Sequence, residues 1–383
     1  MTAEATQFAP GPNVEGGRGE FAELMLQGLL HVYVAFDWGD EIDLKRARKL
    51  APAEVRELPR RRRTPASITY RPPPLRFQLD PVSLDLPELG RAQATVDATV
   101  FDFAAVSVAF HVPFESSASC ILRLAGWLAD PRSLVQAARA ALQPLHRQLL
   151  PAVQDPHWQE DLSEEYFIFH LPPAHSPPPS ELVDVHSAWL AGLVRLESGP
   201  LSAEEINEAV RLSIRYSPDD LIVLDWAAAF LLDTACDETL QVIEFANLQL
   251  LEFRHIDNRL DDNQAITYGM IHALAQSWLP FWRSHARSLR ALGELRVEAN
   301  GLFERTGNVL KLVGDQYLAR VYRMLASRFH LEEWEQSIQR KLDVTEGVYQ
   351  VISDQTDTYR AEFLEIVVVV LILLEVVLAL VRH

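Results

Sequence analysis

The C-terminal stretch Phe363–Val381 reads FLEIVVVVLILLEVVLALV, and the interpretation of the whole chain depends on it. Every residue in it is apolar except Glu365 and Glu375. A helix that crosses a bilayer needs about 20 predominantly apolar residues, so the stretch is long enough to predict a transmembrane helix. The protein would then be tail-anchored by a single span over residues 363–381, with its bulk on the cytoplasmic side, as at a bacterial inner membrane.

The two acidic residues keep a second interpretation open, in which the same helix is buried among other copies of the protein. A carboxylate near the centre of a membrane helix costs about 2.5–3.5 kcal/mol. Glu365 can reach the membrane interface, whereas Glu375 is expected to face other copies rather than lipid. Both interpretations therefore predict that the chain forms homo-oligomers.

The composition of the 383 residues indicates a folded protein with room for two domains. Apolar residues make up 48%, which excludes general disorder. The formal net charge of −18 argues against nucleic acid as a main partner, because phosphate binding needs a cationic surface. The two cysteines, Cys120 and Cys236, are too few for a disulfide framework or a zinc site, which favours a reducing compartment.

The N-terminal segment, residues 1–18, is rich in Gly, Pro and Ala and is predicted to be disordered. It lacks a basic region followed by an apolar one, so no secretory signal is expected. Without such a signal, the large part of the chain is expected in the cytoplasm.

Residues 19–235 are predicted to form an α+β domain. Strand-like alternation or β-branched and aromatic residues occur in three stretches, Leu26–Phe36, Ala94–Phe114 and Glu165–Leu171. A helix is predicted at Pro131–Leu150, and Ser202 begins a capping box that predicts a second helix. Mixed elements of this kind, without a regular βαβ repeat, favour an α+β fold.

Four consecutive arginines lie between two prolines, and they predict an exposed loop: Arg60, Arg61, Arg62 and Arg63. One interpretation is a binding site for an anionic partner, either lipid headgroups or RNA. The favoured interpretation is a solvated loop with no ligand.

Residues 236–362 are predicted to form a helical, coiled-coil-like domain. Apolar and aromatic residues recur there at alternating spacings of three and four, which is typical of a heptad seam. The predicted oligomerisation seam comprises Leu331, Trp334, Ile338, Leu342, Tyr349, Ile352 and Tyr359. A weaker seam at Leu295, Leu302 and Val309 completes an antiparallel helical hairpin that turns near residues 329–330 and leads into the C-terminal helix.

The densest polar cluster in the sequence comprises Arg254, Asp257, Arg259, Asp261 and Asp262. It predicts either a cation or substrate site built by the aspartates or, by preference, a solvated helix face with Arg–Asp pairs. His170 and His175 are separated by prolines, which disfavours a metal pair. A thiol–imidazole dyad of Cys236 with His255 is also disfavoured. Phosphate-binding, nucleophile-elbow and zinc-protease motifs are absent from the sequence, so no catalytic residue, cofactor or metal is predicted.

Several segments of residues 220–383 resemble the "required for meiotic nuclear division" family. They are Ala273–Ser277 (ALAQS), His330–Glu335 (HLEEWE), Lys341–Asp343 (KLD), and Phe363–Ile366 continuing through Leu374–Val376. The chain departs from the family pattern at Ile366, where the family has Trp, and at Arg328–His330. The resemblance implies a bacterial branch of a family whose eukaryotic members are mitochondrial inner-membrane proteins that support translation.

The sequence thus favours a membrane-anchored, homo-oligomeric, non-enzymatic scaffold that presents its α+β domain to an unknown cytoplasmic protein partner. Two alternatives remain open: an oligomeric pore or transporter component that uses Glu375, and an enzyme with a site near Asp257 and Asp261.

Overall fold

The computed structural model describes residues 20–51, 55–56, 72–159, 162–276, 293–304 and 316–381. The chain divides into two compact units. The first comprises Met1–Leu251 with Val309–His330, and the second comprises Glu252–Asn308 with Leu331–His383. The segment predicted to be disordered, residues 1–18, lies outside the described residues.

The first unit is built on a nine-stranded sheet in the order β3-β4-β5-β6-β1-β8-β11-β10-β9. All its strand pairs are antiparallel except β8 with β11, so the sheet is mixed. A separate pair joins β2 to β7. The strands are β1 Met25–Asp37, β2 Glu41–Ile42, β3 Val55–Arg56, β4 Leu75–Leu86, β5 Gly90–Val100, β6 Ala105–Ser117, β7 Val153–Gln154, β8 Glu164–Leu171, β9 Ser213–Ile214, β10 Leu221–Leu224 and β11 Ala228–Leu232.

Strand β1 occupies the middle of this sheet because it is apolar on one face and tolerates burial on the other. It pairs with β6 along all of Met25–Asp37 and with β8 on its other side. Its alternate residues Leu30, Val32, Val34 and Phe36 are fully buried in the hydrophobic core. The intervening side chains therefore point to the opposite face of the sheet.

Short helices cover the core-forming face of the sheet. They are α1 Leu44–Leu50, α2 Ala118–Leu128, α3 Arg132–Leu149, α4 Pro179–Asp184, α5 Ser187–Arg195 and α6 Ala203–Arg211. The predicted cap is present, since the Ser202 side chain accepts a hydrogen bond from the Glu205 backbone N–H at 3.2 Å. Pro144 lies inside α3 without ending it. The predicted α+β class of the N-terminal region is confirmed.

Three longer helices follow: α7 Asp237–Gln276, α8 Gln316–Arg328 and α9 Leu331–Val381. Residues 293–304 are also helical. A turn at Phe329 and His330 separates α8 from α9, at the predicted position.

In the second unit, ion pairs and stacked rings join the helical segments. Arg259 on α7 binds Glu298 at 2.6 Å, and Phe253 stacks on Phe303 with ring centroids 6.1 Å apart. Because residues 253 and 259 match 303 and 298 in reverse order, these two segments run antiparallel.

The predicted membrane span over residues 363–381 is wrong. In the part of the chain that the structure describes, no helix has the length and apolarity needed to cross a bilayer. Glu365 and Glu375 leave only Ile366–Leu374 uninterrupted, nine residues that rise about 14 Å as a helix, against a hydrocarbon core of about 30 Å. The predicted localisation, a single C-terminal span with the bulk on the cytoplasmic side, fails with it, and the pore hypothesis for Glu375 required that span.

Candidate functional site

The second face of the sheet in the first unit carries buried polar side chains, and the first half of α7 packs against it. Asn247 on α7 donates from Nδ2 to the backbone oxygen of Glu164 at 3.1 Å. Tyr33, which is 1% exposed, and the buried Glu244 lie in the same layer. Buried polar groups need hydrogen-bonding partners, so polar side chains grouped on a buried face are candidates for a functional site.

Three histidines form a row across neighbouring strands on this face, with His31 on β1 in the middle. His31 Nδ1 lies 2.7 Å from His111 Nδ1 on β6, and His31 Nε2 lies 3.4 Å from His170 Nδ1 on β8. His31 is 4% exposed, whereas the outer two rings are half-buried. Burial, followed by the nearby His111 and His170, lowers the pKa of His31 well below its usual value. We refer to these three residues as the histidine row.

Each end of the histidine row is held by an acceptor of hydrogen bonds. Asp97 Oδ2 on β5 lies 3.4 Å from His111 Nε2. The backbone oxygen of Asp233 lies 2.9 Å from His170 Nε2. A carboxylate and a carbonyl oxygen both accept hydrogen bonds, so Nε2 of each outer ring lies where an N–H group can donate.

Cys236, one residue before α7, lies against the His170 ring. Its Sγ is 3.6 Å from Nδ1 and 3.5 Å from Nε2 of that ring. Burial, reinforced by Asp233 and Asp237, raises the pKa of Cys236 to about 12. The thiol is therefore protonated at neutral pH and is not a free nucleophile. The dyad weighed in the sequence paired this thiol with His255, whereas the structure places it on His170.

Beside the row lies a second buried polar group, formed by Tyr33, Arg76 and Glu244. Arg76 on β4 lies 4.0 Å from Glu244 Oε2 on α7. Although burial opposes it, Glu244 and Tyr33 raise the pKa of Arg76 above its usual value. Burial and the charge of Glu244 raise the pKa of Tyr33 well above its usual range. Arg76 therefore stays charged and neutralises Glu244 beneath the helix.

A third polar cluster, at the turn between β10 and β11, holds α8 against the sheet. Asp225 is fully buried, and its carboxylate lies 2.8 Å from Arg195 Nε and 3.5 Å from Arg328 Nε. Tyr166 donates its hydroxyl hydrogen to the Asp225 backbone oxygen at 2.8 Å. Arg328 also binds Glu208 at 2.9 Å. Opposite charges balance here, which indicates a structural rather than a ligand-binding role.

The predicted polar cluster of the second unit is largely neutralised within the chain. Lys341 Nζ lies 2.7 Å from Asp257 and 2.6 Å from Asp261, and Arg259 binds Glu298. Although partial burial opposes it, the hydrogen bonds that the Lys341 ammonium donates to both aspartates raise the pKa of Lys341. Arg254 is half-buried and Asp262 is exposed. The arrangement fits the favoured interpretation, a helix face with ion pairs, and the substrate site near Asp257 and Asp261 stays a prediction.

The first half of the predicted seam is buried inside a single chain. Leu331, Ile338 and Leu342 are at most 5% exposed, and Trp334 is half-buried. The side chains of Tyr349, Ile352, Tyr359 and Glu375 lie outside the described residues, as do Arg60, Arg61, Arg62 and Arg63. Glu365 is exposed on α9. Contact of the seam with a second copy stays a prediction.

Sequence reasoning missed the histidine row. His31, His111 and His170 each replace an apolar residue inside a strand-like stretch, and that common position was the available signal. Along the sequence, His111 follows His31 by 80 residues and His170 follows His111 by 59 residues. Their neighbourhood depends on strand order and register, which no local pattern specifies.

The sheet, its helical layer and the polar second face define the class of protein: an α+β protein with a nine-stranded mixed sheet. Residues 27–238, more than half of the chain, match the family model described as the N-terminal domain of the uncharacterised protein MJ0711. The chain therefore belongs to that family. The matched region contains the entire histidine row and Cys236.

A curated relative supports the same assignment. The chain is 31% identical over 206 residues to the uncharacterised protein MJ0711 of Methanocaldococcus jannaschii. The alignment covers 53% of this chain and 62% of that protein, so the chain spans less than two thirds of the relative's length. No solved structure is significantly similar to the chain.

The resemblance to the "required for meiotic nuclear division" family is wrong, and so are the bacterial branch and the mitochondrial parallel derived from it. The family match lies in residues 27–238, whereas the resemblance lay in residues 220–383. The segments that suggested it are short, and Ala, Leu, Glu, Gln and Lys supply many of their residues. Short matches of this kind occur in many long helices because those residues have high helix propensity.

Proposed function

We propose that this protein is a non-enzymatic assembly scaffold whose copies associate through the C-terminal part of α9. The exposure of that part carries the proposal. Every described apolar side chain from Leu364 to Leu374 except Val367 is more than half exposed in the single chain. An apolar surface of this extent is costly in water and marks an interaction site.

The exposed side chains occupy consecutive positions, so they surround the helix on all sides. Successive residues of a helix are about 100° apart, and a single neighbouring helix covers only one stripe. A helix that is apolar all round needs several neighbours. Other copies of the same chain can supply these neighbouring helices. In a closed rotational symmetry every copy has the same neighbours, and a helix covered on all sides favours three or more copies.

The sheet-containing unit is the part that such a scaffold would display to a protein partner. Trp226, in the turn between β10 and β11, is 60% exposed, and Tyr216 is 75% exposed. Large exposed aromatic side chains are typical anchors of protein–protein contacts. Display of the sheet-containing unit is a separate part of the proposal. Self-association through α9 determines only how many copies of that unit are displayed together.

The test is the mass of the full-length protein in solution, measured by sedimentation equilibrium. The wild type is expected to form a trimer or larger oligomer. The double substitution Val369→Lys and Leu373→Lys, at positions 60% and 65% exposed, is expected to produce monomers because each copy would bury two ammonium groups. Val344→Lys is the matched control, since Val344 is 55% exposed on the same helix outside the apolar run.

The control variant is expected to keep the oligomer. A monomeric wild type at about 50 μM, or a double variant with the mass of the wild type, would contradict the proposal.

A further inference from the structure

A cavity of about 520 Å³ lies in the first unit, at the end of the sheet where β8 and β11 finish. These two strands run parallel, so their carboxyl ends lie side by side. Residues of the segment after β8 (173–179) and of the segment after β11 (233–234) line the cavity. Crevices outside the carboxyl ends of parallel strands are common binding sites, and the volume is within the usual range for small molecules.

Prolines make the segment after β8 a stiff wall of this cavity. Pro173 and Pro177–Pro179 all line it, and Leu232 adds further apolar surface. Ser176, in the same segment, donates from its hydroxyl to the Pro172 backbone oxygen at 3.0 Å. Each proline ring fixes the backbone φ angle, so this wall loses little conformational freedom when a ligand binds.

Carboxylates line the cavity from two other segments. Asp219 and Asp220 belong to the loop between β9 and β10, and Asp233 directly follows β11. The Asp220 carboxylate is used by the fold, since it accepts hydrogen bonds from two backbone N–H groups of its own loop at 2.6 and 2.8 Å. One oxygen of Asp233 accepts from a backbone N–H at 3.1 Å. Among the described residues, the Asp219 carboxylate and the second Asp233 oxygen have no hydrogen-bond or ion-pair partner, so both are available to a ligand.

The lining of the cavity is acidic without a compensating cation. In the part of the chain that the structure describes, no basic side chain lines it. Arg215 lies close by, outside the lining, and donates to the Pro179 backbone oxygen at 3.1 Å. Asp219 and Thr234 are exposed, so the cavity opens to solvent beside them. A cleft lined by charges of one sign and by apolar walls focuses its electric field, and this one therefore attracts cations.

We propose that this cavity binds a small linear polyamine. Its carboxylates lie on two separate segments, residues 219–220 and residue 233, and a chain with an ammonium group at each end can pair with both. The methylene groups between the charges pack against the prolines and Leu232, as the stems of lysine side chains do on apolar surfaces. A hydrated metal ion makes no such apolar contact, and Mg²⁺ gives up its water reluctantly.

The test is a calorimetric titration of the full-length protein with spermidine in about 150 mM salt. Salt at this concentration screens the general attraction of a chain with a net charge of −18 over distances beyond about 8 Å. One spermidine is expected to bind at the cavity of each chain. Asp219→Asn and Asp233→Asn are each expected to weaken the affinity about threefold, and the double variant about tenfold.

The matched control is the double variant Asp80→Asn with Asp85→Asn, which removes two exposed carboxylates of β4 outside the cavity. It is expected to leave the affinity unchanged. Asparagine keeps a side-chain oxygen, so Asp233→Asn retains an acceptor for the backbone N–H and is expected to fold. Thr234→Lys places an ammonium group at the cavity and is expected to weaken binding more than either asparagine variant does.

Competition distinguishes a polyamine site from a merely acidic surface. An uncharged alkane diol of the same chain length is expected not to bind, and Mg²⁺ is expected to displace spermidine poorly. Absence of saturable spermidine binding, an affinity that the cavity variants leave unchanged, or equal displacement by Mg²⁺ overturns the proposal. A lysine-rich peptide that binds the cavity more tightly than spermidine would make it a protein-docking site and would also overturn the assignment.

Discussion

Asp225 shows how one residue can determine the attachment of a helix. Its carboxylate is fully buried and lies against two guanidinium groups, those of Arg195 and Arg328. Burial raises the pKa of Asp225 even though both arginines oppose the shift. The two arginines therefore offset the cost of burying this charge only in part.

Replacing Asp225 with Asn is expected to destabilise the protein by about 3 kcal/mol, because two half-buried guanidinium groups lose their common counter-charge. Glu205 and Glu208 still pair with them, which keeps the loss at the lower end of the usual range. Urea unfolding monitored by circular dichroism measures the change. Asp130→Asn, at an exposed pair with Arg132, is the control and is expected to change stability by less than about 1 kcal/mol. Equal effects of both substitutions would contradict the assignment.

At the scale of elements, β1 depends on a close approach that only glycine allows. A Cβ atom at Gly28 would lie 2.7 Å from Leu171 Cδ2 and 2.9 Å from Phe114 Cζ, and closer still to the His170 backbone oxygen. The approach brings β8 alongside β1, next to the histidine row.

Gly28→Ala is expected to destabilise the protein by about 1–3 kcal/mol, since the added methyl group forces β1 and β8 apart. Gly347→Ala is the matched control, because nothing lies within 4 Å of a Cβ at that position of α9. The control is expected to raise stability by up to about 1 kcal/mol through helix propensity. Thermal unfolding of both variants measures the difference. A Gly28→Ala protein as stable as the wild type would show that the sheet adapts at this point.

The positions of the strands and helices were largely predictable from the sequence, whereas the pairing of the strands was not. The β-branched and aromatic residues of Leu26–Phe36 predicted β1 within one residue of its observed ends. The largely apolar run of residues 220–232 has the composition of one buried strand, but a turn that starts at Asp225 divides it into β10 and β11. The prediction of a membrane span was wrong, because it gave the average apolarity of residues 363–381 more weight than the two glutamates among them. The histidine row was out of reach because strand register is a long-range property.

For the whole molecule, net charge and self-association oppose each other. Each chain carries a formal charge of −18. Copies that gather through α9 bring these like charges together, and the apolar contacts have to overcome the repulsion.

Raising the ionic strength from about 20 mM to about 150 mM is therefore expected to strengthen the proposed association, because the screening length falls from roughly 20 Å to about 8 Å. An increase of at least threefold in the association constant is expected by sedimentation equilibrium, with Val344→Lys behaving as the wild type does. A decrease with salt would indicate an interface held by ion pairs and would contradict an apolar one.

The central place of β1 also has a consequence for synthesis on the ribosome. His31 pairs with His111 on one side and with Ile168 on the other, so its two partner strands leave the ribosome 80 and 137 residues after it. At about 5–20 residues per second, the first strand made waits roughly 7–27 s for its second neighbour. The apolar side chains of β1 remain exposed for that time, so we expect chaperones that bind nascent chains to contact this strand. The sheet is completed on both sides of β1 only after β8 has been synthesised.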